Sequence, residues 1–240
     1  VNDRVLLTVA GSDSGGGAGI QADLRAFWDH GWHGTTVITA VTAQNTRGVT
    51  RIDPIPAAGI LAQLRALRDD VDIAAVKVGM LADVATIEAV AEGLSGLSVP
   101  IVVDPVMVAT SGDRLQEDAA VDALRSRILP LATVLTPNLP EQEVLGEIAG
   151  SVLITGGDAE GQVVLDTLHH DGVTRTFRNP RIRGGPYHGT GCTLSSALTA
   201  QLAKGQTVPD AVELAILYVR ERLQTARRIG GGSAVLGDIR

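Results

Sequence analysis

A chain of 240 residues with 45% apolar residues, a net charge of −7 and one cysteine can bury a single sizeable α/β core, and its acidity argues against a nucleic-acid surface. One thiol excludes a disulfide framework and, with no Cys/His array to hold structural zinc, fits a reducing cytoplasm. No apolar run reaches the length of a membrane span and the charged start Val1-Asn2-Asp3-Arg4 is unlike a signal peptide, so the expectation is one domain over residues 1–240, its initiator Met trimmed, with small-molecule partners, no nucleic acid and no membrane.

Residues 5–10 are a continuous apolar run, the pattern of a strand buried on both faces of a parallel sheet. A glycine-rich loop follows from Gly11, and then Leu24, Phe27 and Trp28 recur at helical spacing. The loop therefore lies at the carboxyl edge of the sheet, where α/β proteins bind ligands. It is no P-loop, because no Lys-Ser/Thr pair closes it. Gly17-Ala18-Gly19-Ile20-Gln21-Ala22 matches a dinucleotide fingerprint by letter, yet it begins too far past the strand and the next strand ends in Gln44 rather than an acid.

Residues 34–44 are β-branched and predict a second strand that delivers Gln44 and Asn45 to the same edge. A terminal amide there can donate and accept at once, which suits an amino group beside a ring nitrogen, and Asp23 could accept from such a group. Either residue reads equally well as a solvated or capping group. A short strand is expected at 49–52, a helix at 57–68, a core strand at 72–79, an alanine-rich helix at 83–94 and a further strand at 100–104. Asp104 at that strand tip either holds a metal-bound phosphate or caps the sheet. Met80 and Met107 fall on the active edge, where they flank a flat ring or fill core.

Residues 132–136 predict a fifth strand running into Asn138-Leu139-Pro140-Glu141 at a helix start, where Glu141 holds a water on Mg²⁺ or serves the helix dipole. A sixth strand at 151–157 and a hairpin over 162–169 and 173–178 follow, with His169 and His170 solvated beside it. His188-Gly189-Thr190-Gly191-Cys192-Thr193 then opens a helix running to Lys204. Two glycines around a threonine let amides converge at a helix start, which makes an anion hole. Cys192 in the first turn should have a lowered pKa and is a candidate base; the other reading is an inert buried thiol. Amides aimed at phosphoryl charge beside a proton acceptor are what phosphate transfer to an alcohol requires. A long amphipathic helix over 208–228 and a glycine-rich tail without evident chemistry complete the chain.

Taken together, the glycine loop, Asp104, Asn138 to Glu141 and Gly189 to Cys192 resemble the ribokinase-like superfamily. Within it, the stretch from Ala10 to Asp23, Thr42-Ala43-Gln44, Lys77-Val78-Gly79-Met80, residues 103–112, Thr136 to Glu141 and His188 to Thr193 resemble the hydroxymethylpyrimidine/phosphomethylpyrimidine kinase family. The resemblance covers nearly the whole chain and implies a three-layer, doubly wound, mostly parallel sheet. It implies ATP-dependent phosphorylation of 4-amino-5-hydroxymethyl-2-methylpyrimidine and its monophosphate, with Mg²⁺, in a cytoplasmic homodimer. Gly11, Asp23, Gln44, Met80 and Val106 match the ring-holding positions. Asp104 and Glu141 match the metal side. Asn138, Thr155, Gly157 and Thr190 join them around ATP, and Gly189, Thr190 and Gly191 form the hole beside the Cys192 base. Two departures stand out: Thr155 replaces a lysine usual before Gly156-Gly157, and the crossover between Glu141 and Val152 lies near the ~12-residue minimum for a parallel connection. A pyridoxal or pyridoxine kinase is the second reading, and a pyrimidine-binding regulatory protein with impaired catalysis the third.

Overall fold

Strands that are apolar on both faces must be covered on both faces, and that requirement organises this chain. The computed structural model describes residues 3–107 and 118–238. In order these are β1 (Val5–Asp13), α1 (Gly19–Asp29), β2 (Gly34–Asn45), β3 (Gly48–Pro54), α2 (Ala57–Arg68), β4 (Ile73–Val78), α3 (Val84–Leu94) and β5 (Ile101–Val103). Then come α4 (Asp118–Ala123), continued by a π-helical and a 3₁₀ turn to Leu131, β6 (Val134–Leu135), α5 (Leu139–Leu145) and β7 (Ser151–Ile154). The chain ends with β8 (Val163–His170), β9 (Val173–Pro180), β10 (Tyr187–His188), α6 (Thr190–Ala203), α7 (Val208–Gln224) and β11 (Ala234–Val235).

The nine-stranded sheet has the order β3-β2-β1-β4-β5-β6-β7-β8-β9. β2, β1, β4, β5, β6 and β7 are parallel neighbours, and β3, β8 and β9 add antiparallel edges. This is the expected mostly parallel α/β sheet, and its helices make two layers. Leu7, Val9, Val76 and Val78 pack with residues of α2 and α3 on one face. On the other, Leu6 and Ala75 pack with Phe27 of α1 and Ala200 of α6, while Val102 and Val134 join α6 and α7. The chain leaves β1 for β2 on one side and later returns to β4 on the other, so the crevice between the ends of β1 and β4 is the topological switch point.

Several boundaries differ from the sequence expectation. β1 runs on to Asp13, because Ser12 and Asp13 pair with Val41 and Thr42 after a bulge past Ala10. α7 stops at Gln224, and the tail beyond it is not featureless: Ala234 and Val235 pair in parallel with Tyr187 and His188. The helical segment over 118–131 adds elements between the fourth and fifth expected strands, where the sequence reading places none. Residues 108–112 of the family motif lie outside the described residues.

One polar junction interrupts the core. Lys77 alternates with Val76 and Val78 and so points to the α1/α6 face, where its Nζ lies 3.0 Å from Asp23 of α1, both side chains fully buried. Asp23 also accepts hydrogen bonds from Thr8 Oγ1 at 2.6 Å and Ser196 Oγ at 2.7 Å. Burial works against charge on Lys77, but Asp23 first, then Cys192 and Asp104, outweigh it and hold the ammonium protonated. Breaking such a pair leaves a bare charge in the core. Asp23→Asn should therefore lower unfolding free energy by about 3–5 kcal/mol in urea titrations, and adding Lys77→Met should restore much of it. A single variant as stable as the parent would refute this role.

Candidate active site

Two helix starts meet at the switch point because glycine backbones allow it. Gly19 opens α1 at φ +57°, and a Cβ there would lie 2.4 Å from the Gly11 carbonyl oxygen. Gly189 caps α6 at φ +85°, and a Cβ there would lie 1.9 Å from the Gly17 carbonyl oxygen. No other residue fits either place. The Gly19 amide at the start of α1 favours the ionised form of the Cys192 thiol, which sits in the first turn of α6, so the two helix starts act on the same sulfur. Beside it, a Cβ on Gly191 would come within 3.5 Å of Asp104 Oδ2, which places the amide cradle against the β5 carboxylate. Ser195 Oγ donates to the same oxygen at 3.3 Å.

The electrostatics overturn one expectation. Cys192 is only half-buried as a residue, yet its thiol is pushed up to about 12 rather than lowered. Burial of the sulfur is the main cause; the Asp23 and Asp104 carboxylates add to it, and Lys77 and the Gly19 amide oppose it. The helix-start field is outweighed by desolvation and two negative neighbours. Burial also pushes Asp104 up to about 6, with Asp23 adding while Lys77 and Ser195 restrain it. Glu141 is pushed up to about 7 by burial and then by Asp104, against its bonds from the Asn138 and Met107 amides.

Glu141 and Asn138 form a reciprocal capping box at the start of α5, and Glu141 Oε1 accepts from Met107 N at 3.2 Å. The helix-start reading of Glu141 is met by this capping box, and its carboxyl is near enough to Asp104 to feel that charge. Among the described residues no group of three or more His, Cys, Asp or Glu side chains could hold a metal. Two buried, mutually repelling carboxylates nevertheless suit a Mg²⁺ that takes its other oxygens from water and phosphate.

On the ring side, Met80 Cε lies 2.8 Å from where a Gly11 Cβ would be, and Met80 and Val106 share a small apolar cluster with Ala40. Gln44 reaches the same edge from β2, its amide ends 3.0 Å from Thr42 Oγ1 and 3.2 Å from His188 Nε2. Asp23 does not face a ring: fully buried, it is engaged by Thr8, Ser196 and Lys77. Met107 belongs to the main core, not to the rim.

Sequence reasoning missed three contributors here. Lys77 was hidden in an apolar strand. His188 was quoted only as part of a motif, although its Nε2 lies 2.9 Å from Asp13 Oδ2. The tail carries Ser233 N to Thr46 O at 2.8 Å and sets Val235 against Gly17, so it walls a small cleft beside Gln44 and His188.

At the end of β7, Thr155 bridges to Asn138, and Thr155 N donates to Pro137 O at 2.9 Å. Gly157 begins a loop whose carbonyls are held by Arg181: Nη1 donates to Gly157 O at 2.6 Å and Nε to Gly161 O at 2.9 Å. No cation stands at position 155 itself.

Comparisons with known proteins agree with this arrangement. An ADP complex of Bacillus subtilis pyridoxal kinase superposes with a TM-score of 0.88 at 32% identity, covering 98% of this chain and 97% of that one. Phosphomethylpyrimidine kinase from Clostridium difficile superposes with a TM-score of 0.78 at 36% identity, covering 91% and 99%. The fold is thus that of the ribokinase-like small-molecule kinases. A hydroxymethylpyrimidine/phosphomethylpyrimidine kinase of Streptomyces coelicolor is 45% identical over 97% of this chain and 93% of its own length. The phosphomethylpyrimidine kinase family model matches residues 13–150 and 147–236, and the chain belongs to that family.

A thiol raised this far is neutral through the physiological range. The rate of iodoacetamide modification of Cys192 in the ligand-free protein, read by mass spectrometry, should therefore climb with pH up to at least about pH 10 without levelling. A plateau near pH 7 would mean a preformed thiolate.

Proposed function

We propose that this protein transfers the γ-phosphoryl group of ATP to the hydroxymethyl group of 4-amino-5-hydroxymethyl-2-methylpyrimidine, and then phosphorylates the monophosphate, in thiamine biosynthesis. The observation that carries the reading is the Cys192 sulfur between two helix starts, with the Gly191 backbone against Asp104. Gly11, Met80, Val106 and Gln44 form the ring side, with Asp23 holding Lys77 behind it. The Gly189, Thr190 and Gly191 amides receive phosphoryl charge. Asn138, Thr155 and Gly157 border the nucleotide. Asp104 and Glu141 are the residues that would hold Mg²⁺, which supplies neutralisation of phosphate charge when bound. Cys192 takes the alcohol proton in its thiolate form, a minor species that forms when the thiol gives its own proton to solvent, as the alcohol oxygen bonds to γ-phosphorus and the bond to the ADP oxygen breaks. Lys77 and, after it, the Gly19 amide are the chain's own groups that favour the thiolate.

Pyridoxal phosphorylation is the second reading, favoured by the close superposition on the Bacillus subtilis enzyme. A purely regulatory binder is disfavoured, because a sensor needs neither the buried carboxylate pair nor the thiol. The homodimer and the cytoplasmic setting implied by the family resemblance belong to this proposal.

Cys192→Ala should lower kcat by about 10²–10⁴-fold in a coupled ADP-release assay while pyrimidine affinity holds. Unchanged turnover would remove the thiol from the chemistry. Gln44→Ala should raise KM for the pyrimidine about tenfold or more and leave that for ATP within about twofold. The opposite split would move the ring site elsewhere.

A further inference from the structure

His188 meets two partners through a single ring nitrogen. Its Nε2 lies 2.9 Å from Asp13 Oδ2 and 3.2 Å from the Gln44 amide. Asp13 is itself gripped by backbone: Gly15 N donates to Oδ1 at 2.7 Å, and Gly17 N and Ala18 N donate to Oδ2 at 3.0 and 2.9 Å. Burial would raise this carboxyl, but the His188 bond and the Ala18 and Gly15 amides hold it below its ordinary value. An ionised carboxylate only accepts, so Nε2 of His188 must carry the proton between them.

That proton decides which way the Gln44 amide points. The two ends of an amide have the same shape, and only proton accounting tells them apart. If the NH₂ end faced His188, two donors would oppose each other. With the amide turned over, the clash of donors is gone: the one Nε2 proton of His188 is shared between Asp13 and the Gln44 oxygen, Gln44 donates to Thr42, and Thr42 donates to Ser12. One N–H and one lone pair of Gln44 remain for a ligand. Their order is fixed, N–H on the Thr42 side and lone pair on the His188 side.

We propose that His188 is a positioning residue that sets the polarity of the Gln44 amide and so aims the substrate alcohol at the phosphoryl cradle. This rests on the pyrimidine reading above. In that ring the nitrogen N3, the 4-amino group and the 5-hydroxymethyl group follow in sequence. N3 then takes the N–H on the Thr42 side, and the amino group takes the oxygen on the His188 side. The alcohol, next in order, then falls on the His188 side of the ring, and His188 directly precedes Gly189, the cap of the helix whose first turn holds Cys192. The reverse amide polarity would turn the alcohol away.

The test uses a ring whose hydrogen-bond pattern is inverted. In 5-hydroxymethyl-2-methylpyrimidin-4-one, N3 carries a proton and C4 an oxo oxygen, so it opposes the fixed amide at both positions. The wild-type protein should prefer the amino ring in kcat/KM by about 100-fold or more. His188→Leu removes the donor, and Asp13→Asn lets the imidazole change tautomer; either frees the amide to flip. In each variant that circular dichroism shows folded, the preference should fall below about tenfold, with the oxo ring gaining. An undiminished preference in a folded variant overturns the proposal. Nitrogen-15 NMR of the wild-type imidazole is independent of folding in the variants: a protonated Nε2 supports the latch, and a bare Nε2 overturns it. A wild-type protein that phosphorylates neither ring, but does phosphorylate another alcohol, overturns the substrate reading and the aiming role, while the NMR arm still reads the latch.

Discussion

The buried ion pair between Lys77 and Asp23 is the constraint on which the rest of the site depends. It joins β4 to α1, with Thr8 of β1 and Ser196 of α6 completing the junction, so four elements around the switch point share one polar contact. Such a pair contributes little net stability, since desolvating two charges offsets their attraction. Its value here is electrostatic. Lys77 is the cation that acts on both Cys192 and Asp104, and Asp23 works in the opposite sense on each. The pair therefore fixes the field in which the thiol and the β5 carboxylate titrate, and it fixes α1 and α6 at the spacing their first turns need.

A second set of contacts closes the site from its rim. The loop after β1 and the turn before α6 touch through Gly17 and Gly189, and Asp13 and His188 tie the same segments together. β11 then pairs with β10 and presses Val235 against Gly17. The proposed ring site would thus be assembled from the first strand, the second strand, the residues before α6 and the C-terminal tail. Every such contact closes a long loop, so the geometry exists only once the sheet is complete.

Much of this was legible in sequence, for identifiable reasons. Parallel strands buried on both faces show as unbroken apolar runs, so the order of strands and helices could be read directly. Glycines at tight turns marked both helix starts, and a carboxylate at the end of an apolar strand marked Asp104. What failed was whatever depended on partners distant in the chain. The shift of Cys192 has the opposite sign because helix position is local, whereas the desolvation and the carboxylates of Asp23 and Asp104 come from the fold. Asp23 faces Lys77 instead of a ligand because one lysine inside a hydrophobic strand carries no sequence mark of where its charge goes. The tail lacked hydrophobic period, yet two residues of backbone pairing sufficed to make it a wall.

The short α5 to β7 crossover tells which part of that connection the site uses. α5 has seven residues, closed by Gly146 at φ +70°, and Ser151 already pairs with Val134. The two stretches matched by the family model meet at residues 147–150, within this connection. Glu141 is nonetheless held by its capping box with Asn138 and by the Met107 amide, all at the helix start. Helix starts are set by their caps and not by helix length, so shortening the far end leaves the carboxylate in place. On the outer side of α5, Leu139 and Val144 are exposed. Thr155 belongs to the same economy: its backbone is pinned to Pro137 and bridged to Asn138, and the loop beyond it is framed by Arg181 through carbonyls. The side proposed for the nucleotide is thus built from backbone held in position, and buried charge lies at Lys77, Asp104 and Glu141.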